Sequence, residues 1–460
     1  MIAAGLSDRL SAHIAQFETD ALPPSAALAA KRVLLDAAGV TMAASGLAPE
    51  VQPFIALARQ SGAGPATILG TGFTASAQMA AFANGAMAHA LDFEDTFDLA
   101  PGHPNASLAP ALIALAQADG PIDGRRFLAA LALGGDLSCR IGLSVGHPLE
   151  NGGWYPPPIV AAFGAAAGAA RLLGLDAAGV RDALSLMLCQ VTMPGEIKHS
   201  ARTQLRAVRE AFPAQAAVNA ALLARAGVAG FEQPLEGREG FYALFARGMF
   251  STEVLLDRLG DRFWIEELTF KPWPTCRGTH ACLELALRLR NDHAIDPSAV
   301  ARIVVGHDDA QRMLVDPPAR KRAPQTLIDA KFSIPFVTAL ALVRGRVGLD
   351  DFTSATLEDP AILALADKVE AEFRGSEAWQ RGAGGALRIE LHGGQAFEAS
   401  IGRACGAPER PLTDEQRVQK FVECTAKASR PQPAAAARAM ADAILNLDQL
   451  DDVGALFRSK

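Results

Sequence analysis

The densest run of groups able to do chemistry is His89-Ala-Leu-Asp92-Phe-Glu94-Asp95-Thr96-Phe-Asp98, with Gly102-His103-Pro104 just behind it. Imidazoles and carboxylates at this spacing suit proton transfer or the holding of a metal ion. His89 and Asp92 stand three residues apart, so on a helix they share a face. Asp and Thr also decorate ordinary turns. Here, though, Leu91, Phe93 and Phe97 are interleaved with the acids, which sets the run apart from a purely solvated loop.

A second cluster, Phe270-Lys271-Pro-Trp273-Pro-Thr275-Cys276-Arg277-Gly278-Thr279-His280, is stiffened by two prolines. Lys271 lies between Phe270 and Trp273, where loss of water would lower the pKa of an ammonium and fit it for acid/base use. It is also one of only nine lysines in a chain with 34 arginines, so a lysine in an apolar setting stands out. Arg277 offers a planar fork suited to a carboxylate. A snorkelling lysine in a helix-capping loop accounts for the same segment equally well. Two further residues are weaker candidates: Tyr155, at a helix entrance in Gly153-Trp-Tyr155-Pro156, and Arg209 in Val208-Arg209-Glu-Ala-Phe212. For both, loop structure or a solvated helix face is the simpler account. Gly70-Thr-Gly72-Phe-Thr-Ala75 has the look of a shortened dinucleotide loop, but no strand–helix–strand unit surrounds it.

These clusters need elements to carry them. The 460 residues suggest two or three domains. Half of the residues are hydrophobic but only 6% are aromatic, and an alanine-rich core of that kind packs best as closely approached helices. Helical spacing runs from the start of the chain; Pro23-Pro24-Ser25 opens a helix up to Gly39, and further helical stretches follow over 76–91, 107–118, 124–145, 159–173, 176–190 and 207–226. The pattern changes near Trp264. A β-branched strand is expected over 301–307, and a hairpin over 386–391 and 395–401 around Gly393-Gly394. Helices are expected over 279–291, 330–343 and 360–368, and again over 413–427 and 433–447. The expected fold is mainly α with a smaller α+β domain: a large all-helical domain over 1–265, completed by 405–460, and an inserted α+β lid over 266–404. The cleft between two such domains is a favoured ligand site.

A net charge of −7 without a basic stripe points away from nucleic acid. Met1 opens directly into an amphipathic pattern with no leader-like segment. The nearest approach to a membrane span, 156–175, is mostly Ala and Gly with Arg171 inside it, so a buried helix and no membrane partner are expected. Six cysteines without a CxxC pair fit reduced thiols and a cytoplasmic location.

Taken in order, Asn84-Gly85, His89, Asp92-Phe-Glu-Asp95-Thr96 and His103-Pro104 resemble the MmgE/PrpD family. So do the 271–280 loop, Lys331-Phe-Ser333-Ile-Pro-Phe336, and Pro408-Glu-Arg410-Pro-Leu-Thr413 with Lys420-Phe421. That family includes 2-methylcitrate dehydratase, cis-aconitate decarboxylase and iminodisuccinate epimerase. The resemblance implies a helical domain plus a lid, usually a homodimer, acting on a small polycarboxylate without metal or organic cofactor. It carries active-site roles onto Asp92, Thr96, His103 and Lys271. Arg277, with Arg209 as the weaker candidate, would clamp substrate carboxylates, and His280 and Lys331 are further substrate-binding candidates. Two departures stand out: Tyr155 holds a place where the dehydratase and decarboxylase branches have histidine, and Arg206 and Arg209 stand where a lysine is expected. Three readings follow. The first is a metal-free hydro-lyase working by α-proton abstraction, with Lys271, His103 and Tyr155 as acid/base candidates and Asp92 orienting a neighbour. The second is an epimerase using Tyr155 and Lys271. The third is a non-catalytic polycarboxylate binder.

Overall fold

The computed structural model describes residues 5–100, 102–200, 202–375 and 382–458, so Met1, where the amphipathic pattern opens, lies outside the described residues. The chain forms two compact units, Met1–Leu268 with Thr413–Lys460, and Thr269–Leu412.

The first unit is built on helices Pro24–Leu47, Ala77–Ala90, Pro104–Asp119, Gly124–Ser144, Pro156–Leu172, Ala177–Leu188, Ala211–Arg225, Asp414–Ala426 and Ala434–Leu445. Their starts are chemically marked. The side chains of Ser76, Asp123 and Asp176 each accept a hydrogen bond from a backbone N–H in the first turn, and Pro24, Pro104 and Pro156 open their helices. Small residues set the packing distance. A Cβ on Gly164 would lie 2.2 Å from the Gly134 carbonyl oxygen, so helices Gly124–Ser144 and Pro156–Leu172 touch backbone to backbone.

Several expectations are corrected here. Helix Pro24–Leu47 runs on through Gly39, because that glycine serves close packing: a Cβ there would come 2.9 Å from the Phe421 ring. The expected single helix over 207–226 breaks into Leu205–Val208 and Ala211–Arg225. Pro213 explains the break, since its ring would clash with the carbonyl four residues earlier, at Arg209. Gly70 and Gly72 belong to the turn of a small antiparallel hairpin, β1 (Ala66–Ile68) and β2 (Phe73–Ala75). Gly70 takes a left-handed φ of +71° there, and the segment is a turn rather than a nucleotide loop. Among the described residues, the helix long and apolar enough to cross a bilayer is Gly124–Ser144, not 156–175. As 89% of its apolar window is buried inside the chain, it is a core helix.

The second unit carries a four-stranded sheet in the order β4-β3-β5-β6, with β3 at Val300–His307, β4 at Val369–Phe373, β5 at Gly385–Leu391 and β6 at Ala396–Ile401. β5 and β6 form the expected hairpin, with Gly394 left-handed at φ +83° in its turn. β4, which pairs parallel with β3, is not expected from the sequence. It is short, follows helix Pro360–Asp367 closely, and exposes Glu370 and Glu372, so it shows no distinctive apolar run. Ile303, Val305, Leu387 and Ile389 pack with Leu283, Phe336, Leu340 and Ile362 from the helices to make the core of this unit. The opposite face is laced with ion pairs, among them Arg302 with Glu370 and Arg388 with Glu390.

Candidate functional site

The acidic run begins where helix Ala77–Ala90 ends. Gly85 lets that helix lie directly on the 209–210 break, since a Cβ there would come 2.6 Å from the Glu210 carbonyl oxygen. His89 therefore reaches Arg209 across 120 residues of sequence. Beyond Leu91, Asp92 turns the chain with a left-handed φ of +51°, and its N–H donates to the His89 carbonyl at 2.8 Å. Aspartate is among the few side chains that tolerate this conformation, and a strained residue beside a buried polar cluster is a mark of function. The turn sends Glu94 back towards His89.

What results is a relay of buried groups. Arg209 Nη1 donates to His89 Nε2, and His89 Nδ1 bonds Glu94 Oε1. His103 Nδ1 lies 2.8 Å from the same Glu94 oxygen and 3.1 Å from the Asp95 carbonyl oxygen. A guanidinium only donates, so His89 Nε2 must accept and its proton resides on Nδ1. Burial, reinforced by the Arg209 charge, pulls the His89 pKa down to about 3, which keeps this ring neutral. By the same logic His103 carries its proton on Nδ1, facing two acceptors, and Nε2 is left as its basic nitrogen. The His103 side chain is 13% exposed, whereas those of His89 and Glu94 are at 0% and 1%, so His103 is the end of the relay that meets solvent.

Neighbouring groups hold the relay in place. Arg209 Nε donates to Glu210 Oε1 at 3.2 Å, and Ser107 Oγ donates to Glu210 Oε2 at 2.5 Å. Burial pushes the Glu210 carboxyl up, against the pull of Arg209. Asp95 Oδ2 accepts from Asn105 Nδ2 at 2.9 Å, and burial raises its pKa to about 7. Thr96 Oγ1 donates to the Gly102 carbonyl at 3.1 Å and closes the loop that leads to His103. Tyr155 starts helix Pro156–Leu172, with the Arg209 guanidinium 5.1 Å and the Lys198 ammonium 6.0 Å from its ring centre.

Donor atoms of His89, Asp92, Glu94 and His103 all lie within 4.8 Å of one another, close enough to share a cation. Both ring nitrogens of His89 are already bonded, however, one of them to a guanidinium that repels a metal ion. The set fits a proton relay better than a metal site.

The helical unit thus holds Asp92, Thr96, His103, Arg209 and Tyr155. Arg209, expected to clamp substrate, is 1% exposed and spends its bonds on His89, Glu210 and the Arg206 carbonyl. His89, Glu94 and Asp95 belong to the run singled out in the sequence but were given no role there, and Glu210 was left out altogether. The helical spacing of His89 and its place just ahead of the acids were the available signals, while nothing local pointed to the contact with Arg209.

The second unit holds Lys271, Arg277, His280 and Lys331, all buried. Arg277 Nη1 and Nη2 donate to the carbonyls of Cys405 and Ala404 at 2.9 and 3.0 Å. His280 Nε2 donates to the Thr275 carbonyl at 3.1 Å, and the Lys331 carbonyl accepts from Cys276 N–H at 3.0 Å. The Lys331 ammonium stands 5.3 Å over the Phe352 ring.

Comparison with known proteins gives these arrangements a lineage. The MmgE/PrpD N-terminal domain model matches residues 8–253, and the MmgE/PrpD C-terminal domain model matches residues 273–446. The cis-aconitate decarboxylase-like protein oryM of Aspergillus oryzae is 25% identical over 428 residues, covering 89% of this chain and 88% of the relative. Human cis-aconitate decarboxylase is 26% identical over 391 residues, covering 82% and 78%. The 2-methylcitrate dehydratase of Escherichia coli is 24% identical over 356 residues, covering 72% and 71%.

Proposed function

This chain belongs to the MmgE/PrpD family, and from that premise we propose that it is a lyase that performs acid/base chemistry beside a carboxylate of a small hydroxy-di- or tricarboxylate. The observation that carries the reading is the buried Arg209–His89–Glu94–His103 relay with its open end at His103. A carboxylate that holds Nδ1 of an imidazole fixes the ring and supports the positive charge it gains on taking a proton, as in other enzymes where a buried acid orients a histidine base. His103 Nε2 would take the α-proton as negative charge spreads onto the substrate carboxylate. An acid then protonates the departing hydroxyl, and water and an alkene result. Asp92, in its left-handed turn, sets the direction of the loop rather than transferring the proton itself.

Relatives named for decarboxylation and for dehydration both fit this chemistry, since each reaction changes bonding at the carbon next to a carboxylate. The test is turnover of a panel of hydroxy-di- and tricarboxylates and of cis-aconitate, with alkene and carbon dioxide both followed. His103→Ala should abolish product formation. Loss of wild-type activity on adding EDTA would sink the metal-independent form of the reading. The same proposal takes the chain to work as a homodimer in the cytoplasm with no organic cofactor, and a sedimentation mass of one chain would count against the dimer.

One observation favours a second reading. Tyr155 lies 8% exposed against Arg209, and Pro157, two residues on, lines the same small recess as His103. An epimerase with Tyr155 among its acid/base groups would exchange an α-hydrogen with deuterated solvent and release no unsaturated product. Failure to exchange with any substituted dicarboxylate would remove it.

A further inference from the structure

We propose that Lys420 is a positioning residue for the acid/base loop: its ammonium, anchored by Asp36, pins the Phe93 carbonyl and so fixes the peptide plane between Phe93 and Glu94. The inference rests on the reading of that loop as catalytic. Lys420 lies on helix Asp414–Ala426 and Asp36 on helix Pro24–Leu47, both far from the loop in sequence. Lys420 Nζ donates to Asp36 Oδ1 at 2.6 Å and to the Phe93 carbonyl at 2.7 Å, and it stands 3.8 Å over the Phe93 ring. Lys420 and Asp36 are each only 8% exposed.

A buried ion pair is a poor device for stability alone, because two apolar side chains of like volume usually do as well. What apolar side chains cannot do is donate to a carbonyl. Phe93 is 6% exposed, and its carbonyl follows directly on the left-handed turn at Asp92. A buried carbonyl needs a donor, and the donor's position decides how the peptide plane is set. Rotation of that plane would move Glu94 off the two imidazoles that share its oxygen. The ring contact adds a second hold on the same residue, since an ammonium over an aromatic face is attracted to it.

The test pairs kinetics with hydrogen exchange. Asp36→Asn/Lys420→Gln removes both charges together, so neither member of the pair is left charged without the other. In this variant the amides of Phe93 to Thr96 should exchange about tenfold faster while the two anchoring helices keep their protection. Its kcat should fall by about 10- to 100-fold through misplaced catalytic groups, with KM changed by less than about threefold. Lys420→Arg, which can still donate to both partners, should restore most of the protection and of kcat. Unchanged exchange at Phe93 to Thr96, or a loss of protection spread evenly over both helices, overturns the proposal. If the wild-type chain turns over no polycarboxylate, the catalytic reading fails, yet the exchange result still decides whether Lys420 holds the loop. Should the double variant not fold, Asp36→Asn alone, which releases Lys420 from its anchor, is read in the same way.

Discussion

The acidic run of the helical unit and the 271–280 loop of the second unit bury their polar groups with different partners. In the helical unit, ionisable side chains bond one another: Arg209 to His89 and Glu210, His89 and His103 to Glu94, and Lys420 to Asp36. In the second unit, several polar side chains of the 271–280 loop bond backbone: Arg277 to Cys405 and Ala404, His280 to Thr275, and Thr279 to Cys276. The first arrangement couples the protonation of one group to that of the next. The second holds a loop in shape and leaves little to couple. A cluster of charged residues in a sequence therefore says less than the identity of their partners.

Variants can break this contrast or sharpen it. His103→Ala should have the largest effect, a loss of about 10³-fold in kcat, because the open end of the relay disappears. Glu94→Gln keeps the shape but removes the charge between the two imidazoles; it should cost about 10²-fold in kcat while KM stays nearly constant, measured by steady-state kinetics. If it changed only the melting temperature, the relay would be structural. Arg277→Ala should behave in the opposite way. It leaves two backbone carbonyls short of a donor, and a stability loss of about 2 kcal/mol by denaturant titration is expected, with kcat reduced less than by Glu94→Gln.

The smallest effect expected is a change of slope. The folded pKa of Asp95 is raised to about 7 from 3.8, so between those values the folded chain binds a proton that the unfolded chain has lost. Asp95 therefore favours folding most below pH 3.8, and that contribution declines as pH rises to about 7. His89 runs the other way, its support being complete above pH 6.5 and lost as pH falls towards 3. Asp95→Asn should flatten the decline between pH 5 and pH 7 relative to wild type, read as melting temperature against pH. An identical slope in both proteins would mean that Asp95 is ionised throughout.

How much of this was legible depended on the range of each interaction. The helix around Ala77–Ala90, the 385–401 hairpin and the acidic run were visible because periodicity and turn residues are local signals. Pro213 could have revealed the break at Arg209, since the clash it causes is also local. β4 was hidden because an edge strand of five residues with two outward glutamates resembles a loop. The Arg209–His89 and Lys420–Phe93 contacts span 120 and 327 residues, so no pattern in the chain pointed to them. Arg209 illustrates the difference: its residue type suggested a substrate clamp, and only its partners show that it holds a histidine.

The interleaving of the helical unit bears on how the protein is made. Helix Pro24–Leu47 leaves the ribosome long before helix Asp414–Ala426, which packs on it. Gly46 is moulded to that late arrival, since a Cβ there would sit 2.2 Å from the Lys427 carbonyl oxygen. Through most of synthesis the nascent chain therefore presents an uncovered face of this helix, a surface of the kind that recruits chaperones. A message cut short anywhere before residue 413 would yield a product that leaves the Gly39 and Gly46 face of this helix uncovered.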